Sequence, residues 1–467
     1  MREAGDKQMR RHGKGACLGA MAAAIAVWTL GVGAAQAAAS AQDAARLGAD
    51  LTPFGAEKAA NKDGSIPAWS GGLGKAPAGW KPGHVDPFKD DKPLFAIDAG
   101  NVDKHADKLP EGQVALIKAY KGYRLDVYPT RRSCTFPDFV AERTKKNATT
   151  ARIGDDGWKL EQALGGGVPF PLPKSGVEVL WNHKLRYLGE GRQVDISLLM
   201  PEKGGGLTEV KQRAYELYPF NSPKVNGPAD TGHIEAKLMY DVQSPSSRAG
   251  EMYLIHAFMD RQQDAWIYFP GQRRVRRAPS FAYDNPVAGA DNLYFVDQIN
   301  MFTGALDRYD FKLLGKKEVF LPYNSYKLID KKRKFKDLIG PDYVARDAMR
   351  YELHRAWVVE ATVKGDKRHS FAKRKFYIDE DSWAILHVDM YDAKGSLWRV
   401  QEGSVWASPD VQSCTELEYQ MYDLVAHRYL VDGYTAENEL LDLSAGKDGR
   451  VKDAMFTADE LRRRGER

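Results

Sequence analysis

Arginine is the residue type whose spacing in this chain most suggests a chemical task. Trp266-Ile267-Tyr268-Phe269-Pro270-Gly271-Gln272-Arg273-Arg274-Val275-Arg276-Arg277 reads as an aromatic strand, a Pro-Gly turn and a short second strand carrying four arginines. Alternation about Val275 places Arg274 and Arg276 on one face, with Arg273, Val275 and Arg277 on the other. Guanidinium forks match carboxylates and phosphates. Arg274 and Arg276 are therefore candidate contacts for an anion such as a lipid headgroup or a partner's acidic patch. The competing expectation is a structural network with carboxylates just downstream, Asp284, Asp291 and Asp297.

No complete catalytic template is present: there is no H-E-x-x-H, G-x-S-x-G, P-loop, C-x-x-C or Rossmann fingerprint. His256, His354 and His387 fall within expected strands, where a lone histidine serves as a hydrogen-bonded structural residue. Asp379-Glu380-Asp381 lacks the spacing of a calcium loop and reads as a solvated hairpin turn. No catalytic residue, metal ligand set or cofactor is expected. A periplasmic hydrolase with dispersed residues stays open as an alternative, since triads are scattered in sequence.

The first 37 residues explain where the chain goes. Arg2, Lys7, Arg10, Arg11 and Lys14 form a basic start, an Ala-rich apolar run extends from Ala16 to Ala35, and Ala35-Gln36-Ala37 offers a signal-peptidase site. The expectation is a cleaved signal peptide over 1–37 and delivery to the periplasm, with no integral membrane segment left after cleavage. The chain carries +5 overall. The leader holds five basic and two acidic residues, so the remainder is close to neutral for its size. That gives no case for nucleic acid. Cys134 and Cys414 are the cysteines left beyond the leader, and an oxidising compartment makes a disulfide between them the expectation, two buried free thiols being the alternative.

The elements that must position these residues change character along the chain. Residues 38–176 are rich in loops, with helices at Leu109–Tyr120 and Asp138–Ala148 and a linker over 165–176. From Val177 the apolar period becomes two, and strands follow one another to Ala407 with short turns such as Gly365-Asp366-Lys367 and Asp392-Ala393-Lys394-Gly395. Short turns make antiparallel neighbours. The sheet domain spans 177–434, and a polar tail, 435–467, holds a short helix opened by Thr457. The fold class is α+β.

Glu251–Met259 is apolar on both faces, so one face either fills a core or lines a cavity. Met252, Leu254, Phe258 and Trp357 are the candidates for lining it. The register is open, because a one-residue slip reverses every side chain.

Compound motifs carry a resemblance. Leu51-Thr52-Pro53-Phe54-Gly55 with Asn61-Lys62-Asp63-Gly64 and Pro67-Ala68-Trp69, then Val168-Pro169-Phe170-Pro171, Trp181-Asn182-His183, Tyr283-Asp284-Asn285-Pro286 and Pro322-Tyr323-Asn324, resemble the signatures of a Gram-negative periplasmic family labelled as a domain of unknown function. That family is similar to the lipoprotein carriers LolA and LolB. The resemblance implies a large curved antiparallel sheet (a half-barrel) with helices on its concave side and a long N-terminal extension. It further implies a lipid or other hydrophobic cargo, and a setting beside RND-type exporters and outer-membrane-associated proteins. A scaffold for such an exporter, without its own cavity, is the second reading. No catalytic residue comes with the family.

Overall fold

The computed structural model describes residues 39–74, 76–202 and 204–466. The leader expected at 1–37 lies outside the described residues. Gln36–Arg467 forms one compact unit, so the N-terminal segment and the sheet share their packing. Phe54, Phe136 and Val140 from the first part lie in the same apolar cluster as Val359, Phe376 and Ile378 from the sheet. Among the described residues no helix is long and apolar enough to cross a membrane.

The α+β reading holds. The strands are β1 (Phe95–Ile97), β2 (Leu125–Val127), β3 (Arg152–Ile153), β4 (Leu160–Gln162), β5 (Gly191–Pro201), β6 (Leu207–Leu217), β7 (Ile234–Ser244), β8 (Met252–Phe258) and β9 (Asp264–Phe269). Beyond them come β10 (Arg274–Arg277), β11 (Tyr309–Pro322), β12 (Tyr351–Val363), β13 (Lys373–Asp379), β14 (Ile385–Tyr391), β15 (Leu397–Ser408), β16 (Ser413–Asp423), β17 (Arg428–Tyr434) and β18 (Leu441–Asp442). All but β3 and β4 join a 16-stranded, unclosed sheet whose main order is β1-β2-β12-β13-β14-β15-β16-β17-β5-β6-β7-β8-β9-β10. β12 to β17 and β5 to β10 are two antiparallel meanders, and the pairing of β17 with β5, Val431 opposite Leu199, sews them together.

The helices are α1 (Ala41–Ala44), α2 (Glu111–Ala119), α3 (Asp138–Thr150), α4 (Gly176–Lys184), α5 (Phe335–Leu338) and α6 (Ala458–Gly465). α2 and α3 each start after a proline, Pro110 and Pro137, whose fixed φ suits a helix entrance. α4 corrects the sequence reading, which had strand periodicity beginning at Val177. Ser175 caps it by accepting from the Glu178 amide, the S-x-x-E arrangement that satisfies free amides at a helix start. α4 buries Val179, Leu180 and Trp181 on one face of the sheet, and α2 buries Leu116 and Ile117 on the other, against Val400 and Tyr422.

The acidic turn also differs from expectation. Asp379, Glu380 and Asp381 are buried, because the N-terminal segment and the loop before α3 lie over them. Arg132 donates to both oxygens of Asp381 at 2.8 and 2.7 Å, while Lys316 donates to Glu380 at 2.6 Å. Three carboxylates out of water require such cations. Beside them, Cys134 and Cys414 form a disulfide with a Cα–Cα distance of 5.5 Å, tying that same loop to β16.

Candidate functional site

Six adjacent strands, β16, β17, β5, β6, β7 and β8, present side chains from one face to a slender cavity. The room inside it for the centre of a water-sized sphere is about 60 Å³, and the empty space counted out to the solvent at its mouth is about 690 Å³. The roof is the long connection between β10 and β11. This segment consists of turns and one short 3-10 stretch, Val296–Met301, with backbone hydrogen bonds made mostly within itself, and five of its non-glycine residues (Tyr283, Asp291, Asn292, Asn300 and Met301) adopt left-handed φ. It holds its place by packing and by ion pairing. Leu293, Phe295, Phe302 and Leu306 enter the main apolar cluster, and Asp297 accepts from Arg374 and, at 2.9 Å, from His369. Burial opposes the Asp297 carboxylate, but Arg374 and His369 outweigh it and hold the group down at about 2.

The walls are apolar: Ile196, Leu198 and Ile255 from the sheet, Leu417 from β16, Phe281 and Val287 from the roof. The floor is not. Arg192 is buried, and its Nε donates to Glu216 at 2.7 Å. Tyr240, Tyr294 and Asp432 line the same space. Burial raises the Asp432 carboxyl to about 6, and burial also pushes the Tyr240 and Tyr294 phenols well above their ordinary value. The Tyr294 hydroxyl and Asp432 interact, Asp432 raising the phenol further and the phenol steadying the carboxylate, although the pair falls short of a well-formed hydrogen bond. Next to Asp432, Gly433 has φ +78°, and a Cβ there would sit 1.8 Å from the Leu417 carbonyl oxygen. Only glycine permits that approach, which sets β17 against β16 at the cavity floor.

The residues singled out from the sequence are placed as follows. Met252 and Leu254 lie on the opposite face of β8, packed with Phe456 and Leu461 of the C-terminal segment. The cavity takes the alternate register, Tyr253 and Ile255. Phe258 lies under the Arg261 guanidinium, 3.4 Å from its ring centre. Trp357 lines a separate, open cleft with Lys316 and Glu57. Arg274 and Arg276 are exposed on β10, at the end of the sheet order, and form no salt bridge among the described residues. The carboxylates expected as their partners are engaged elsewhere, Asp284 with Arg308, Asp291 with Arg428 and Asp297 with Arg374. Within the hairpin it is Arg277 that pairs, with Asp264 on β9. The sequence reading missed Arg192, Tyr240, Tyr294 and Asp432. They come from four distant stretches, and only the junction of β17 with β5 and the folding-back of the roof bring them together.

His354, Asp379 and Asp381 each offer a ligand atom within 4.8 Å of one another. Arg132 already holds both oxygens of Asp381, so the cluster has its positive charge from the protein and serves as an ion network.

A protein named "Uncharacterized protein PA3922" from Pseudomonas aeruginosa is 41% identical over 443 residues, covering 92% of this chain and 95% of the relative. Among solved structures, a Vibrio parahaemolyticus domain provisionally named an outer membrane lipoprotein-sorting protein domain aligns over 62% of this chain and 98% of its own, at 16% identity and a TM-score of 0.43. The LolA superfamily protein NE2245 of Nitrosomonas europaea aligns over 62% and 99%, at 12% identity and a TM-score of 0.37. The family described as "Protein of unknown function (DUF1329)" matches residues 96–462, and with that span and the Pseudomonas relative, the chain belongs to the DUF1329 family.

Proposed function

We propose that the protein is a periplasmic binding protein that carries a lipid or other hydrophobic cargo, in envelope transport of the lipoprotein-sorting or exporter-linked kind. The observation that carries this reading is the cavity between sheet and roof, with apolar walls and a mouth open to solvent. Each Å² of apolar ligand surface taken from water contributes about 25 cal/mol, so a buried alkyl chain supplies affinity without specific contacts. A roof built of loops, held by side chains, suits a site that must admit and release its cargo. The Cys134–Cys414 disulfide fits an oxidising compartment. The residues lining the cavity include no serine, histidine or cysteine, so the pair that would favour the hydrolase reading is not found there. An RND-type exporter and outer-membrane-associated proteins as partners rest on the family resemblance alone.

The test is saturable binding of a fluorescent fatty-acid probe, with Ile255→Arg set against Leu254→Arg. A charge at Ile255 enters the cavity and should abolish binding. At Leu254 the charge enters the C-terminal packing instead and should lower stability. Absence of probe binding by the native protein would put the exporter scaffold ahead.

A further inference from the structure

The proposed function asks only for apolar walls, yet the cavity floor carries polar groups whose hydrogen-bonding capacity the protein does not use up. Arg192 is 2% exposed and spends only its Nε, on Glu216. Its two Nη groups have no hydrogen-bond partner among the described residues, and the side chain lines the cavity. The Tyr294 hydroxyl is buried and makes no well-formed hydrogen bond, with Asp432 as the group it interacts with. The Tyr240 hydroxyl is unpaired among the described residues, and its side chain lines the same space. A buried donor without a good acceptor is costly; the Tyr294 hydroxyl is such a group, and the Arg192 side chain and the half-buried Tyr240 face the same void, so the three together make a polar floor that can receive an acceptor.

We infer that the cavity takes a single-chain amphiphile with a carboxylic head, the head seated on Arg192, Tyr240 and Tyr294 and the alkyl chain running between Ile196, Leu198 and Ile255. This rests on the reading of the cavity as a hydrophobic-ligand site and adds the class of ligand. A carboxylate is the head that meets the most of these groups at once: its two oxygens match the free side of a guanidinium, and its remaining lone pairs accept from the phenols. A neutral alcohol offers one oxygen, and an ester offers acceptors without the charge that a guanidinium favours.

Asp432 is the member of the floor that a carboxylate must reconcile. The ionisable groups around it are Arg192 of β5, Glu216 of β6, Tyr240 of β7, Tyr419 of β16 and Tyr294 of the roof, all lining the cavity. Arg192 is balanced by Glu216. Two carboxyl groups in one dry site share a proton, so Asp432 and the ligand head together hold one, and binding takes up a proton wherever Asp432 is ionised beforehand.

The experiment is calorimetric titration of the exported protein with dodecanoic acid, dodecan-1-ol and methyl dodecanoate, repeated with Tyr240→Phe/Tyr294→Phe. A charge-assisted head contact predicts the acid binding at least about ten-fold tighter than either neutral ligand, and tighter at pH 5.5 than at pH 8. The double variant, which removes the two phenol hydroxyls from the cavity floor, should bring the acid-to-ester ratio towards one. Equal binding of all three ligands by the native protein would overturn the carboxylic head and leave the hydrophobic site standing. Binding of none would overturn both. The ligand preference of the native protein decides the matter even if the variant fails to fold.

Discussion

Arg132 and Asp381 lie 249 residues apart in sequence and form a two-point, buried ion pair, Nε to Oδ2 at 2.8 Å and Nη2 to Oδ1 at 2.7 Å. The same guanidinium donates to the Glu57 carbonyl at 2.7 Å. One side chain therefore fastens the N-terminal segment, the loop before α3 and the β13–β14 turn. Removing it leaves Asp381 with uncompensated buried charge, while Glu380 keeps Lys316 and Arg355. Arg132→Ala should lower unfolding stability by about 3–5 kcal/mol, measured by urea denaturation, with little loss expected from the exposed control Arg152→Ala.

The disulfide closes a covalent loop with a sequence separation of 280. Chain entropy sets a ceiling of about 5 kcal/mol for such a link. Cys134→Ser/Cys414→Ser should lose several of these, and non-reducing alkylation of the native protein should label neither thiol. Two labelled thiols in the denatured protein would show that the bond is not made.

Much of the sheet was legible from residue pattern and little of the site was. Strands joined by three- or four-residue turns declared themselves, as did α2 and α3 behind their prolines. β16 and β17 lie beyond the last strand read from the pattern, which ends at Ala407, although β16 alternates Leu417, Tyr419 and Met421 with Glu416, Glu418 and Gln420 as a half-solvated strand would. Both faces are in fact buried. Burial drives the Glu418 carboxyl up to about 8, a state that composition does not announce. α4 was hidden behind a Gly- and Pro-rich stretch, although Ser175 and Glu178 carried its capping signal. The inward register of β8 depended on which face the C-terminal segment covers, and a period-two pattern apolar on both sides holds no information about that.

A pH dependence follows from His387. Its Nε2 lies 2.8 Å from Asp389 Oδ1 and its Nδ1 3.6 Å from Glu402 Oε1. Burial works against the imidazolium, but Asp389 and Glu402 outweigh it and raise the group to about 9. A base raised on folding stabilises fully below its unfolded value, about 6.5, and that contribution is lost as pH rises through about 9. Melting temperature should therefore fall between pH 6.5 and 9, and fall less steeply in His387→Gln. Parallel pH profiles for the two proteins would contradict this.

Arg274 and Arg276 support no network among the described residues, so Arg274→Ala/Arg276→Ala should change stability by no more than about 0.5 kcal/mol. Should cargo delivery fall while the melting temperature holds, this edge strand is a contact for a partner or a headgroup. A loss of stability above 1–2 kcal/mol would instead reveal a structural role that the placement of these side chains does not provide for.

The central claim is that the space between the sheet and its roof holds a hydrophobic ligand. Native mass spectrometry of the protein released from the periplasm, with extraction of whatever it carries, tests this most directly. The account predicts a lipid-like amphiphile bound at one per chain, present in the native protein and in Trp357→Ala, and lost in a folded Ile255→Arg variant. A native protein of apo mass that takes up no amphiphile on incubation, or a bound species that survives Ile255→Arg, would contradict it.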